Sequence, residues 1–393
     1  MIKPIIVKNV SKELMNEIGF NWHTDSDGSN YISNELVSIS KDEAEAFYEA
    51  GNELYEMFIR AGDYVIENNL LFDIGIPFNM IDIIKKSWEN KVHWHIYGRF
   101  DLAGGIDGKQ IKLIEFNADT PTAVLETSVV QWAMLKQNNM NEDSQYNDLY
   151  EGLKESFKRV VTLDEDTKLF SKYYDGWKIL FSSTRDNQEE EMTVKFLKTC
   201  AEDAGFATGF CYLDEVQFDE KEGIFSPDGI NYEYWFKLFP WEDIALEDEL
   251  PLILKEIVEN QKAIILNPAY VLMFQSKGFL KILYDLFPNS PYLLKCDTKP
   301  LDGIKYVEKK FFGREGANVT IFEKDGTIVE KTNGEYENYN SIFQEYVEFP
   351  KNEKGEFYQA GLFYCFEPVA LGFRKGGLII NNQAKFVGHI MAD

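Results

Sequence analysis

The sequence predicts a mixed α/β fold ending in a mostly antiparallel sheet, on three observations. The middle third alternates strand-like and helix-like stretches at Lys178 to Ser182, Gln188 to Ala204, Thr208 to Leu213, Tyr232 to Leu238, Leu250 to Glu259, Ala263 to Leu266 and Lys277 to Phe287. Such alternation implies a parallel or mixed sheet covered by helices. From Lys305 onward, short strand patterns are punctuated by tight-turn residues, as in Lys324-Asp325-Gly326 and Lys375-Gly376-Gly377, the pattern of an antiparallel sheet. Ahead of both, Ser40 and Glu43 form a capping-box pair, and Ala44, Phe47, Gly51, Leu54, Phe58, Ala61 and Val65 recur at three- and four-residue steps, which predicts a long amphipathic helix.

Between that helix and the α/β region, Tyr97 to Leu102 and Ile111 to Asn117 read as two strands of a hairpin around Gly104, Gly105, Asp107 and Gly108. Thr120 and Pro121 then read as cap and first turn of a helix carrying Val124, Leu125, Val129, Trp132 and Leu135 on one stripe. The polar, Asn-rich segment Gln137 to Asp148 reads as a mobile loop. With 393 residues and no internal repeat, the chain is expected to form one unit of three approximate subdomains, 1–175, 176–300 and 301–393.

The composition narrows the function classes. Against 40 Lys and Arg stand 66 Asp and Glu, a formal net charge of -26, which repels nucleic acid and anionic membranes and favours polyamines and other cations as partners. A local cationic pocket for one nucleotide stays compatible with this charge, because it draws on a few aimed side chains and backbone amides. The N-terminus lacks a signal-type apolar run and no stretch reaches a membrane span, so the cytoplasm is the expected compartment. Cys200, Cys211, Cys296 and Cys365 are scattered without a CxxC pair and read as reduced, mostly buried thiols. His93 and His95 read as structural rather than metal-binding.

Three places carry candidate chemistry. On the hairpin, the two-residue period puts Arg99 with Asp101 on one face and Glu115 with Asn117 on one face. Hard oxygen donors of this kind suit magnesium held against phosphate oxygens, with the arginine free for a phosphoryl group; the same four groups would also make a solvated salt-bridge network. For the acids to share a metal, Asp101 must oppose a residue of the parity of Glu115. A tight turn at Asp107-Gly108 would place it opposite Ile114, so a wider loop or a bulge near Gly104-Gly105 is predicted. The run Asn117 to Thr122 ends at the expected helix start, where amides and the hydroxyls of Thr120 and Thr122 could take a carboxylate or simply cap the helix. Lys309 to Asn318 is a glycine-bearing loop that reads either as a phosphate cradle or as an ordinary hairpin connection.

Together these pieces resemble the synthetase portion of the glutathionylspermidine synthase family, an ATP-grasp group with a shorter acid–amine ligase branch. The resemblance rests on Tyr97-Gly98-Arg99-Phe100-Asp101 with Glu115 to Thr122, on Asn267-Pro268 through Ser276-Lys277 to Leu286-Phe287-Pro288 and Tyr292-Leu293-Leu294, and on Lys309, Gly313-Arg314-Glu315-Gly316 and Phe343-Gln344-Glu345, with an echo at Gly19-Phe20-Asn21-Trp22-His23. It implies a permuted ATP-grasp fold with mixed and antiparallel sheets, the metal-binding strands preceding the phosphate loop. It also implies ATP and Mg2+ as cofactors. Asp101, Glu115 and Asn117 would hold magnesium, and Lys277, Lys309, Glu315, Gly316, Gln344, Glu345, Tyr346, Val347 and Gln359 would surround ATP. Arg99 and Arg374 would stabilise phosphoryl transfer, with Thr120 and Thr122 on the substrate.

The implied activity is amide formation between a small-molecule or peptide carboxylate and an amine, polyamines included, through an acylphosphate. Bifunctional relatives add an amidase domain with a catalytic cysteine. No cysteine precedes Cys200 here, so amidase activity is not expected. A two-carboxylate glycosidase using Glu115 and Asp101 would leave Lys277 and the Lys309 loop without roles; a non-catalytic nucleotide-binding protein on the same fold is the other alternative.

Overall fold

The computed structural model describes residues 1–25 and 28–392. The largest sheet has seven strands in the order Ile5–Ile6, Ile32–Ile39, Lys385–Met391, Glu367–Gly376, Phe357–Cys365, Gly98–Ala103 and Lys112–Asn117. Its pairs are antiparallel except Lys385–Met391 beside Ile32–Ile39. A parallel four-stranded sheet orders Ile264–Leu266, Tyr234–Lys237, Lys178–Ser183 and Ala207–Tyr212, with the Gln188–Ala204 helix packed on it. A five-stranded antiparallel sheet orders Cys296–Asp297, Ser341–Glu345, Tyr306–Lys310, Thr320–Phe322 and Ile328–Lys331. The mixed α/β fold is the one expected. The last third does not close on itself, however: strands from Phe357 onward form the centre of a sheet whose edges come from the N-terminal third.

The long helix spans Lys41–Glu67. The Ser40 hydroxyl accepts from the Glu43 N–H at 3.1 Å and the Glu43 carboxylate from the Ser40 N–H at 2.8 Å, the reciprocal cap that fixes a helix start. Its buried face runs Phe47, Ala50, Leu54, Phe58, Ala61 and Val65. Phe58 packs on Phe116 and Phe279 with ring centroids 5.0 and 5.3 Å apart, and Phe116 stacks on Phe100 at 4.0 Å. These aromatic contacts, each worth about 0.5–1.5 kcal/mol beyond burial, anchor one face of the Gly98–Ala103 and Lys112–Asn117 hairpin. By the strand period, its other face is left for polar side chains.

Two local expectations change. Thr120 and Pro121 do not open a helix: helical backbone begins at Val124 and passes through a π-helical stretch, Glu126–Val130, into Gln131–Gln137. Pro121 disfavours helical backbone at Thr120, and long-range bonds to Asp119 hold the preceding chain. Segment 137–148 is tied down at its end, where Tyr146 N–H donates to His389 Nε2 at 2.9 Å and Leu371 N–H to Tyr146 O at 3.0 Å. His93 and His95, ahead of the Gly98–Ala103 strand, are buried. Burial lowers both to a pKa of about 4, and His95 bonds to Ala118 O and the Tyr55 hydroxyl.

Candidate active site

The hairpin register decides whether its acids can act together. Near the loop, Ala103 pairs with Lys112 and Leu102 with Leu113, the pairing that a tight turn at Asp107-Gly108 produces. Gly104, at φ +80°, allows that closure, since a Cβ there would lie 1.9 Å from Gln110 O. The register then shifts between Asp101 and Leu102, so that Asp101 opposes Glu115 and Arg99 opposes Asn117. Ile114 is the extra residue of the bulge. The predicted register shift is present, but it lies at Ile114 rather than at Gly104-Gly105, and it brings all four polar residues to one face.

Across that face, Arg99 donates from Nε and Nη2 to the two oxygens of Asp101 at 2.7 and 3.1 Å, and from Nη1 to Thr122 O at 2.8 Å. Asn117 Nδ2 donates to Asp101 Oδ2 at 3.1 Å. Glu115 pairs with Lys277 Nζ at 2.9 Å, and the same ammonium donates to Gly313 O at 2.6 Å. Burial opposes the charge on Glu115, but Lys277 and Lys309 prevail and hold its pKa at about 2. Lys309, buried and lowered to about 8 by desolvation, donates to Gln344 Oε1 at 2.7 Å and reaches the bulge carbonyl Ile114 O at 3.5 Å.

Every residue named above for catalysis, nucleotide, metal or substrate lines one cleft of about 250 Å³. Arg374 enters from the Glu367–Gly376 strand, directly across from Gln359. The loop residue Gly316, at φ +68°, lies against segment 379–381, where a Cβ would meet Ile380 O at 2.6 Å; Arg374 Nη2 donates to Asn381 O in that segment at 2.6 Å. Apolar walls come from Val307, Ile321, Phe349 and Ile379, a surface suited to a flat heterocycle. The Gln344 amide accepts from Lys309 Nζ and donates to Leu113 O. The N–H groups of Glu345 and Tyr346 are likewise bonded, to Lys295 O and Lys305 O.

Several residues that sequence reasoning passed over hold the site in shape. Asp119, fully buried, accepts from Lys237 Nζ at 3.1 Å and from Trp241 N–H at 2.7 Å. Asn267 accepts from Ile96 N–H and donates to Tyr97 O, Ala118 O and Asp119 O. Arg314, quoted in the loop motif without a role, donates from Nε and Nη2 to Glu242 at 2.9 and 2.6 Å and from Nη1 to the Thr120 hydroxyl at 3.2 Å. This joins the glycine loop to the Asn117–Thr122 run. A lysine inside the apolar stretch Tyr234–Leu238 was the available sign of Lys237.

Beyond Arg374 lies an acidic end that no motif marked. Burial, then the charge of Glu126, raises Glu189 to about 7, while Arg374 acts in the opposite sense. Glu126 is itself raised by burial, and its carboxylate accepts from Trp22 Nε1 at 3.2 Å and from the Tyr31 hydroxyl. Arg374 offsets Glu189 and Arg99 offsets Glu126 in part, yet burial still raises both carboxyls.

The donor chemistry fits magnesium. Asp101, Glu115 and Asn117 offer oxygen ligands on one face, and a set this small leaves further positions for phosphate oxygens and water, the usual manner in which this ion is held. Among the described residues no group of three His, Cys, Asp or Glu is placed to hold a metal ion by itself, and no helix is long and apolar enough to cross a membrane.

A family model described as glutathionylspermidine synthase preATP-grasp matches residues 3–392. The chain is 28% identical over 361 residues to a Haemophilus influenzae protein named "Putative acid--amine ligase", covering 86% of this chain and 85% of the relative. It is 25% identical over 381 residues to the bifunctional glutathionylspermidine synthetase/amidase of Escherichia coli, covering 89% of this chain and 57% of that one. With the trypanothione synthetase of Crithidia fasciculata it shares 23% identity over 331 residues, 77% of this chain and 48% of the relative. Among solved structures, a glutathione synthetase-like effector from Globodera pallida superposes with a TM-score of 0.60 at 10% identity, over 99% of this chain and 100% of that one. That likeness supports the ATP-grasp-type fold.

Proposed function

We propose, from the premise that the chain belongs to the glutathionylspermidine synthase family, that it is an ATP-dependent carboxylate–amine ligase working through an acylphosphate. The observation that carries this reading is the bulged hairpin, which sets Arg99, Asp101, Glu115 and Asn117 on one face beneath Lys277 and Lys309. A carboxylate oxygen of the acid attacks the terminal phosphorus of ATP, and ADP departs. The amine nitrogen then attacks the acyl carbon, and inorganic phosphate leaves carrying the oxygen that made the first attack.

In this scheme Lys277 and Lys309 bind the phosphates, the Glu315-Gly316 loop covers them, and residues Gln344–Val347 and Gln359 surround the nucleotide. Arg99 and Arg374 offset charge on the phosphoryl group in flight, where aimed cations act most strongly. Thr120 and Thr122 orient the acid. Magnesium held by Asp101, Glu115 and Asn117 would neutralise phosphate oxygens as a Lewis acid. The acidic end at Glu126 and Glu189 draws the amine, which suits a polyamine better than a neutral nucleophile. Nucleic acid and membranes are not partners in this reading, and the reaction belongs in the cytoplasm.

The test is phosphate release from magnesium–ATP against paired carboxylates and amines. The reading expects at least one pair to stimulate release and form an amide. Tight ADP binding with no pair stimulating turnover would instead support a non-catalytic nucleotide-binding protein.

A further inference from the structure

Both acids of the metal-type hairpin already have cationic partners. Asp101 has each oxygen on the Arg99 guanidinium, one of them also taking Asn117 Nδ2. Glu115 is bound by Lys277, whose ammonium is shared with Gly313 O in the glycine loop. Around these two carboxylates the cleft also carries Lys309 and Arg374. A divalent cation arriving alone would have to displace a buried lysine, an unfavourable exchange at low dielectric. Magnesium–ATP instead brings phosphate oxygens that take over the ammonium as the metal arrives.

From this arrangement, and resting on the ligase reading above, we infer that Lys277 gates the metal site. It masks Glu115 until nucleotide phosphate draws its ammonium away, so that metal and nucleotide bind as a coupled pair. The same movement frees Gly313 O, so the glycine loop is released from the hairpin as the phosphates arrive. Metal and nucleotide must then strengthen one another by one common factor.

The probe is Mn2+, counted by the loss of its free-ion paramagnetic resonance signal in the presence of the whole protein, with and without ADP, Mn2+–ADP blanks being subtracted. For the wild type, Mn2+ without nucleotide is expected to bind at least about tenfold more weakly than with saturating ADP. In Lys277→Met, free Mn2+ should bind more tightly than in the wild type while ADP binds more weakly, bringing the ratio toward one. Equal Mn2+ affinity with and without ADP in the wild type, which needs no variant, would overturn the gate while leaving the nucleotide site standing. A ratio unchanged in a folded Lys277→Met protein would remove Lys277 from the gate. If ADP with Mn2+ does not bind at all, the ligase reading falls and the gate with it.

Discussion

The hairpin and the buried region near Arg374 treat their acids in opposite ways. At the hairpin, Asp101 and Glu115 are bound to Arg99 and Lys277, and the cations keep Glu115 ionised at about 2 despite burial. Near Arg374, burial raises both Glu126 and Glu189, and Glu189, with the charge of Glu126 added, rises to about 7. The same residue types are therefore held in different states by their surroundings. In the proposed reading, the acids paired with cations serve a polyphosphate and its metal, and a cationic amine would relieve the unfavourable charge at the buried pair.

Arg374 stands at the boundary between these regions, and replacing it should have the largest effect. Arg374→Ala is expected to lower turnover by about 10³-fold with far smaller loss of ATP affinity, because a cation aimed at charge developing in flight acts mainly on the transition state. Turnover near the wild-type value would assign the boundary a structural role only.

A smaller effect separates the acidic end. Glu189→Gln is expected to lower kcat/KM for the amine by about tenfold, the scale of one charged hydrogen bond, while leaving KM for ATP nearly unchanged. Stability adds an independent reading. A carboxyl raised from 4.5 to about 7 in the folded state binds more protons there than when unfolded, so wild-type stability falls as pH rises between those values. Denaturant unfolding of Glu189→Gln should show a shallower loss over that window and greater stability than wild type at pH 8. An identical pH profile would mean that Glu189 is not held as described, and the contrast between the two ends would lose its acidic half.

What could be read from the sequence follows the range of the interactions involved. The Lys41–Glu67 helix was legible because its cap and its apolar spacing are local, and the hairpin because its turn residues are. The need for a register shift was legible from parity, but its position at Ile114 was not, since a bulge carries little composition of its own. The helix expected at Thr120 failed because Asp119 is fixed by Lys237, 118 residues away, and tertiary bonds override a local cap signal. Arg314 with Glu242, Asn267 with Tyr97, and Trp22 with Glu126 are long-range pairs of the same kind. The buried acids Glu126 and Glu189 were hidden for a further reason: in a chain with 66 acids, any two of them carry no signal until the fold removes them from water.

The account turns on one atom transfer, from the acid to phosphate. With a carboxylate labelled by 18O in both oxygens and an amine that together stimulate turnover, mass spectrometry of the released phosphate tests it. Activation through an acylphosphate predicts one 18O in each phosphate released and one retained in each amide. Phosphate free of label, with both 18O atoms still in the acid or its product, would contradict the proposed chemistry.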